Sequence, residues 1–377
     1  MKTVVISGGA GFIGSHVAKK LVQNGYEVVV LDSLTQQIHG EVPEESELFR
    51  SISAITKFIR GDVRDREAWM KAIPGADYIV HLAAETGTGQ SMYEIAKYSD
   101  SNVGGTAVLL DVLSHSKSKI RKIVVASSRA IYGEGKYECT AHGIQYPGPR
   151  NLQDIQNAEF EPKCLICGAS MRPLSTDENS RTAPASVYAI TKQAQEQLVL
   201  LFGKMTGTPA VALRYQNVYG PGQSLKNAYT GILSIFSTAM LKNNPIEIFE
   251  DGCESRDFVY IDDVVDATIR TLICDDPLDC AINVGTGIPI SVNEVAETLK
   301  LAYKSKSELR VSGRFRTGDI RHNFAEMSLA QELLNYKPGV AFKEGIRRFA
   351  DWVKTQEIGE DNYQKSLSEL KEKGLFS

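Results

Sequence analysis

Short apolar runs alternate with longer amphipathic stretches along the first part of the chain, at 3–7, 27–31, 57–61, 78–82, 122–127 and 210–214. Near-continuous apolar runs of this length suit strands covered on both faces. Their alternation with helical patterns implies a parallel sheet packed between helices. A further strand signal lies at 281–285. Two regions break the rhythm. Residues 134–180 are rich in Gly, Pro, Asn and Cys without clear periodicity and read as an insertion. Beyond Gly220 the pattern becomes mixed α+β and closes on a charged, helix-like tail at 360–373.

The chain has 377 residues, enough for two domains or one large α/β unit, and its net charge of −4 gives no reason to expect nucleic acid or an anionic membrane as partner. An anionic ligand must therefore be met by local positive charge. No apolar run reaches the length of a membrane span, and Met1-Lys2-Thr3 leads straight into a strand without a signal-peptide layout, so a cytoplasmic protein is expected. Six cysteines in a chain this long do not suggest a disulfide framework.

The first apolar run leads directly into Gly8-Gly9-Ala10-Gly11-Phe12-Ile13-Gly14 and then into a helical pattern. Glycines at 8, 11 and 14 permit a tight turn, close approach of backbone to a pyrophosphate, and close helix–strand packing. The helix that follows aims its first N–H groups at the phosphates. Such a loop is weak evidence alone. Here it is matched by Asp32 at the end of the second run, placed to accept hydrogen bonds from both ribose hydroxyls and to repel a 2′-phosphate. With no arginine beside Asp32, NAD is expected rather than NADP. The expected fold is α/β, a Rossmann-type doubly wound parallel sheet over 1–213 with a smaller α+β substrate-binding domain over 214–377. Segments around 255–285 are expected to return to the first domain.

Three Tyr-x-x-x-Lys matches occur, Tyr93/Lys97, Tyr132/Lys136 and Tyr188/Lys192, so position must decide between them. Only the last lies in a good helical context, 186–201, after Pro184 and between the fifth and sixth runs. Its spacing puts both side chains on one helical face. The fifth run ends in Ser127-Ser128-Arg129-Ala130, at the sheet edge where open α/β folds bind ligands. Here the chain resembles the extended short-chain dehydrogenase/reductases that act on nucleotide sugars, with Ser128 at the family's catalytic serine. A free tyrosine titrates near 10, so a tyrosine base needs a shift of roughly three units, about 4 kcal/mol. One cation about 4 Å away, at an effective dielectric near 20, supplies roughly that amount. Lys192 and an oxidised nicotinamide ring are the expected sources. Ser128 is expected to hold the sugar oxygen while Tyr188 takes its proton.

The resemblance covers nearly the whole chain outside the insert and implies further roles. Asp62 and Val63 match an adenine-contacting turn, and Leu82, Ala83 and Ala84 match the loop beside the cofactor. Asn102, in Asn102-Val103-Gly104-Gly105-Thr106, is also assigned to the cofactor, and helices in this position commonly pair in a homodimer. Asn217 matches a nucleotide-sugar contact, while Arg256, Arg316 and Asp319 match diphosphate and ribose contacts. Family dehydratases carry an Asp-Glu pair after the catalytic hydroxyl residue, and decarboxylating relatives a glutamate two residues on. Arg129 and Ala130 stand there instead, with Arg129 assigned to substrate, so 4-epimerisation is favoured. The later Thr176-Asp177-Glu178 reads as a polar loop leading into the Tyr188 helix.

The insert holds Cys139-Thr140-Ala141-His142-Gly143 and Cys164-Leu165-Ile166-Cys167-Gly168. Three thiolates and an imidazole in this layout form a tetrahedral set suited to structural zinc, and unliganded thiols or a redox pair are the alternatives. No other part of the insert offers a core, which makes a metal the expected reason for it to fold. Cys253, Cys274 and Cys280 show no ligand spacing and read as core. The insert, together with residues 223–231, looks most like the branch acting on dTDP-L-rhamnose, which implies dTDP-6-deoxy-L-talose as product for surface polysaccharide. A UDP-hexose or UDP-uronate 4-epimerase is the alternative, and a non-catalytic NAD-binding interaction module a remote one.

Overall fold

The computed structural model describes residues 1–225, 231–316 and 318–357. Part of the 223–231 segment, Thr317, and the tail at 360–373 lie outside the described residues. Seven strands form the central sheet: β1 (Thr3–Ser7), β2 (Glu27–Asp32), β3 (Lys57–Arg60), β4 (Tyr78–His81), β5 (Lys122–Ser128), β6 (Ala210–Tyr215) and β7 (Cys280–Val284). All pair in parallel, in the order β7-β6-β5-β4-β1-β2-β3. β4, β5 and β6 are buried along their whole length. Helices cover both faces, which is why these strands are apolar throughout instead of alternating. The chain reverses its direction of travel across the sheet between β1 and β4, and the crevice at their carboxyl ends is where such sheets bind ligands.

A second layer of structure packs beside the carboxyl edge. Strand Ser255–Tyr260 is flanked by Asn217–Tyr219, Pro289–Ser291 and His322–Asn323. Ile246–Ile248 pairs with Leu309–Val311. Tyr219 is the hub of this layer. Its ring meets Tyr260 at 5.5 Å, Phe342 at 6.0 Å, Phe258 at 6.3 Å and Phe349 at 6.4 Å between centroids. Gly345 permits this, because a Cβ there would stand 2.1 Å from the Tyr219 hydroxyl.

The insert is more ordered than its sequence suggests. Tyr137–Cys139 pairs antiparallel with Gly143–Gln145 and with Arg172–Pro173, and Asn151 caps a short helix, Leu152–Gln156. Tyr137, Cys139, Cys164 and Met171 form a small apolar cluster, and Ile155 and Phe160 pack against Phe315. The expectation that nothing but a metal could supply a core here is therefore corrected. Its apolar residues are isolated in sequence, and only folding gathers them. The other cysteines also differ from expectation: Cys253 is exposed, and Cys274 and Cys280 are half-buried. Among the described residues no helix is long and apolar enough to cross a membrane.

Candidate active site

A cleft of about 1180 Å³ opens at the carboxyl edge of the sheet. One end is lined by Gly8, Gly11, Phe12, Ile13, Gly14, Asp32, Asp62, Val63, Leu82, Ala83 and Ala84, the other by Ser128, Arg129, Tyr188, Lys192 and Asn217. Residues far apart in sequence thus share one cavity.

The glycine loop is shaped by contact rather than by composition. Gly8 has φ +69°, and a Cβ there would lie 2.7 Å from the Ala83 nitrogen. A Cβ on Gly14 would lie 2.2 Å from the Gly8 carbonyl oxygen. Helix Phe12–Gln23 begins at Gly11 with no side-chain cap, so its first N–H groups keep the capacity to bind an anion. Asp32 accepts from the backbone of Ala10 at 3.0 Å and Leu34 at 2.9 Å, which fixes its carboxylate at the end of β2. Burial raises its pKa, opposed by these amides and by the nearby His39. An uncapped helix start, a cradle without room for side chains and a fixed carboxylate fit an NAD molecule.

At the catalytic end, helix Val187–Thr206 starts at Ser186, whose hydroxyl accepts from Ala189 N at 3.1 Å, and stops at Gly207 in the left-handed conformation. This places Tyr188 and Lys192 one turn apart. Ser128 and Tyr188 line the same end of the cleft. Burial raises the phenol's pKa, while Ser128 and the charge of Arg129 pull it down. Arg129 is thus a cation acting on the tyrosine that the sequence reading did not name. Lys192 donates to Gln195 Oε1 at 2.8 Å, and burial pushes its ammonium down to about 7. Arg129 Nε donates to Asn217 Oδ1 at 2.9 Å.

Behind the cleft runs a buried polar chain. Gln195 Nε2 donates to Thr106 Oγ1 at 2.8 Å, and His81 bridges Thr106 at 3.0 Å and Ser7 at 2.6 Å. Burial holds the His81 imidazole neutral, with its pKa lowered to about 3. Asn102 belongs to this layer. Fully buried, it accepts from Glu85 N at 2.7 Å and donates to Glu85 O at 3.1 Å and Thr191 Oγ1 at 2.9 Å. Its amide is used inside the protein, so it ties the loop after β4 to the Tyr188 helix and does not face the cofactor as expected. Ser127 donates to Glu196 at 2.6 Å, and Glu196 forms a buried ion pair with Arg214, also at 2.6 Å. Neither this pair nor the Thr106–Gln195 link had a sequence signal.

Arg256 gives its guanidinium to the carbonyls of Ser255, Ile320 and Arg321, with Asp319 3.6 Å away. Arg256, Arg316 and Asp319 are not among the residues that line the cleft. Arg316 stacks over the Phe249 ring at 5.1 Å. The Thr176–Glu178 loop is a clasp: Asp177 pairs with Lys136 at 2.6 Å, and Glu178 accepts from Asn283 N at 2.7 Å. In the insert, the ligand atoms of Cys139, His142, Cys164 and Cys167 all lie within 4.8 Å of one another.

A Rossmann sheet with a glycine loop, an acidic β2 end and a Ser–Tyr–Lys set in one cleft defines a short-chain dehydrogenase/reductase. The chain belongs to the NAD dependent epimerase/dehydratase family, whose model matches residues 4–158 and 164–285. It is 36% identical over 363 residues to a dTDP-L-rhamnose 4-epimerase of Burkholderia thailandensis, covering 96% of this chain and 97% of that one. Among solved structures, UDP-glucose 4-epimerase of Thermotoga maritima with UDP-glucose superposes with TM-score 0.76 at 29% identity, covering 93% of this chain and 98% of that one. UDP-glucuronic acid 4-epimerase of Bacillus cereus, in complex with UDP-glucuronic acid and NAD, gives the same TM-score at 25% identity, covering 93% and 99%.

Proposed function

We propose that this chain is an NAD-dependent 4-epimerase of a nucleotide-activated sugar, and that its substrate is dTDP-L-rhamnose, converted to dTDP-6-deoxy-L-talose. The observation that carries the reaction class is the meeting of Ser128, Tyr188 and Lys192 with the glycine loop in one cleft. Arg129 and Ala130 occupy the positions where acids would serve elimination or decarboxylation. NAD bound in this cleft would supply a reversible hydride acceptor for C4 of the sugar. Gly8, Gly11, Gly14 and Asp32 would hold the dinucleotide, with Lys192 lining the same cleft beside Tyr188. Tyr188 takes the C4 hydroxyl proton and later gives it back, while Ser128 orients that oxygen. Arg129 favours the phenolate, and Asn217, Arg256, Arg316 and Asp319 hold the nucleotide sugar. The substrate choice is supported by the 36% identical rhamnose-type relative, which matches this chain over 96% of its length. Incubation with dTDP-, UDP- and GDP-sugars, with products resolved by NMR, tests it. Faster turnover of UDP-galactose or a UDP-uronate than of dTDP-L-rhamnose would overturn the substrate assignment.

The same reading assigns structural zinc to Cys139, His142, Cys164 and Cys167. Tetrahedral ligands at about 2.3 Å for sulfur and 2.0 Å for nitrogen stand roughly 3.5–3.8 Å from one another. Cys139 and Cys164 Sγ each lie 3.6 Å from His142 Nδ1, and Cys139 and Cys167 Sγ lie 3.7 Å apart. Gly143 and Gly168 take positive φ of +68° and +73° with open space around them, as tight knuckles require. Four protein ligands leave no position for catalysis, so the metal's role is to hold the insert.

A homodimer is supported by Ile190, Leu201 and Met205, which stand 54%, 56% and 77% exposed along one stripe of helix Val187–Thr206. We divide the chain into an NAD-binding unit, 1–213, and a substrate unit, 214–377, with 261–285 returning to the first, while strand Ser255–Tyr260 stays with the second.

A further inference from the structure

We propose that Arg150 and Glu134 are positioning residues for the nucleoside-diphosphate half of the substrate, acting by fixing the backbone of residues 319–321 from within the insert. This rests on the nucleotide-sugar reading above and gives the insert a part in substrate affinity.

Arg150 is almost completely buried. Its guanidinium forks onto both oxygens of Glu250, at 2.7 and 2.9 Å, and its Nη2 also donates to the Asp319 carbonyl at 2.9 Å. Its Nε stands 3.4 Å from Glu134 Oε1. The other Glu134 oxygen accepts from the Arg321 backbone N–H at 2.7 Å. Residues 319 and 321 are therefore each held by the main chain, and each by a side chain of the insert. Between them, the Ile320 carbonyl accepts from Arg256 at 2.6 Å. Arg256 in turn stands 3.6 Å from Asp319. Three consecutive residues of one loop thus take their places from Arg150, Arg256 and Glu134.

The other end of this linkage is the Cys/His cluster. Tyr137 donates to Glu134 at 3.3 Å and packs with Cys139 and Cys164. Arg321 pairs with Glu161 of the insert at 2.7 Å and stacks over Phe160 at 5.5 Å. A buried set of this kind tolerates poorly the loss of any member, because a charge left without its partner stays desolvated. The loop carrying Asp319 is consequently held from the insert by Arg150, Glu134 and Glu161, in addition to Arg256 and Asp251 on its other side.

The test is the affinity of the NAD-loaded protein for dTDP and UDP by calorimetry, with KM and kcat for the epimerised sugar nucleotide alongside. Arg150→Met is expected to raise the Kd of the nucleoside diphosphate, and the KM, at least tenfold. The same variant should leave kcat within threefold and NAD affinity within twofold, and Arg150→Lys should recover part of the loss. Since Arg150→Met strands a buried carboxylate, the charge-balanced pair Arg150→Met with Glu134→Gln serves where the single variant unfolds. The amide oxygen that Glu134→Gln introduces can still accept from the Arg321 N–H, and the same tenfold rise is expected. A folded variant with unchanged Kd and KM overturns the proposal while leaving epimerisation intact. A loss confined to kcat overturns it also. Wild-type protein that binds neither dTDP nor UDP overturns both this proposal and the nucleotide-sugar reading.

Discussion

Arg129 is pinned to Asn217 by a hydrogen bond of 2.9 Å in the cleft that Tyr188 also lines, and its charge pulls the phenol's pKa down. This sets the direction of a pH effect. Burial pushes the Tyr188 phenol up, and the base works only when ionised. Removing the cation leaves burial less opposed, so the phenol's pKa rises further. In Arg129→Met the acid limb of the kcat–pH profile is expected to move to higher pH. Below the limb each unit lowers kcat tenfold. A profile superimposable on that of the wild type would show that Arg129 acts on substrate binding alone.

Tyr188→Phe removes the base and keeps the ring. Fold and NAD affinity should be retained while kcat falls by roughly 10²–10⁴-fold, the usual worth of a positioned acid–base group. Turnover within threefold of wild type would place the base elsewhere.

The Glu196–Arg214 pair offers a test of stability separate from chemistry. Arg214 donates to both oxygens of Glu196, at 2.6 and 3.1 Å, and to Tyr132 Oη at 2.7 Å and Glu178 O at 2.9 Å. Arg214→Met strands the buried Glu196 carboxylate and should destabilise the protein by about 3–5 kcal/mol in urea titration. Lysine cannot reproduce the fork, so Arg214→Lys should recover only part of this. A cost below about 1 kcal/mol would show that water or rearrangement satisfies Glu196.

Elemental analysis of protein never exposed to chelator should find about one zinc per chain. Chelation should then raise amide hydrogen exchange across 134–180 while leaving the central sheet protected, because that core does not depend on the metal. Absence of metal in such protein would return the four residues to free thiols and a histidine.

What the sequence determined by itself is whatever depends on local period and spacing. Runs buried on both faces specified the strands of the parallel sheet. The glycines at 8, 11 and 14 and the carboxylate at 32 specified a dinucleotide cradle, because turn, helix start and strand end lie within one βαβ unit. Four-residue spacing specified that Tyr188 and Lys192 share a helix face. Tertiary structure decided which charge meets which. Arg129 and Asn217 are 88 residues apart in sequence, and Arg150 reaches a carbonyl 169 residues away. It also turned Asn102 inward, brought the charge of Arg129 to bear on Tyr188, and gathered scattered Tyr137, Cys139, Cys164 and Met171 into the insert's core. Such pairings have no period to read. A buried side chain is partnered by whatever the folded chain brings within about 3 Å of it, and that distance is unrelated to separation along the sequence.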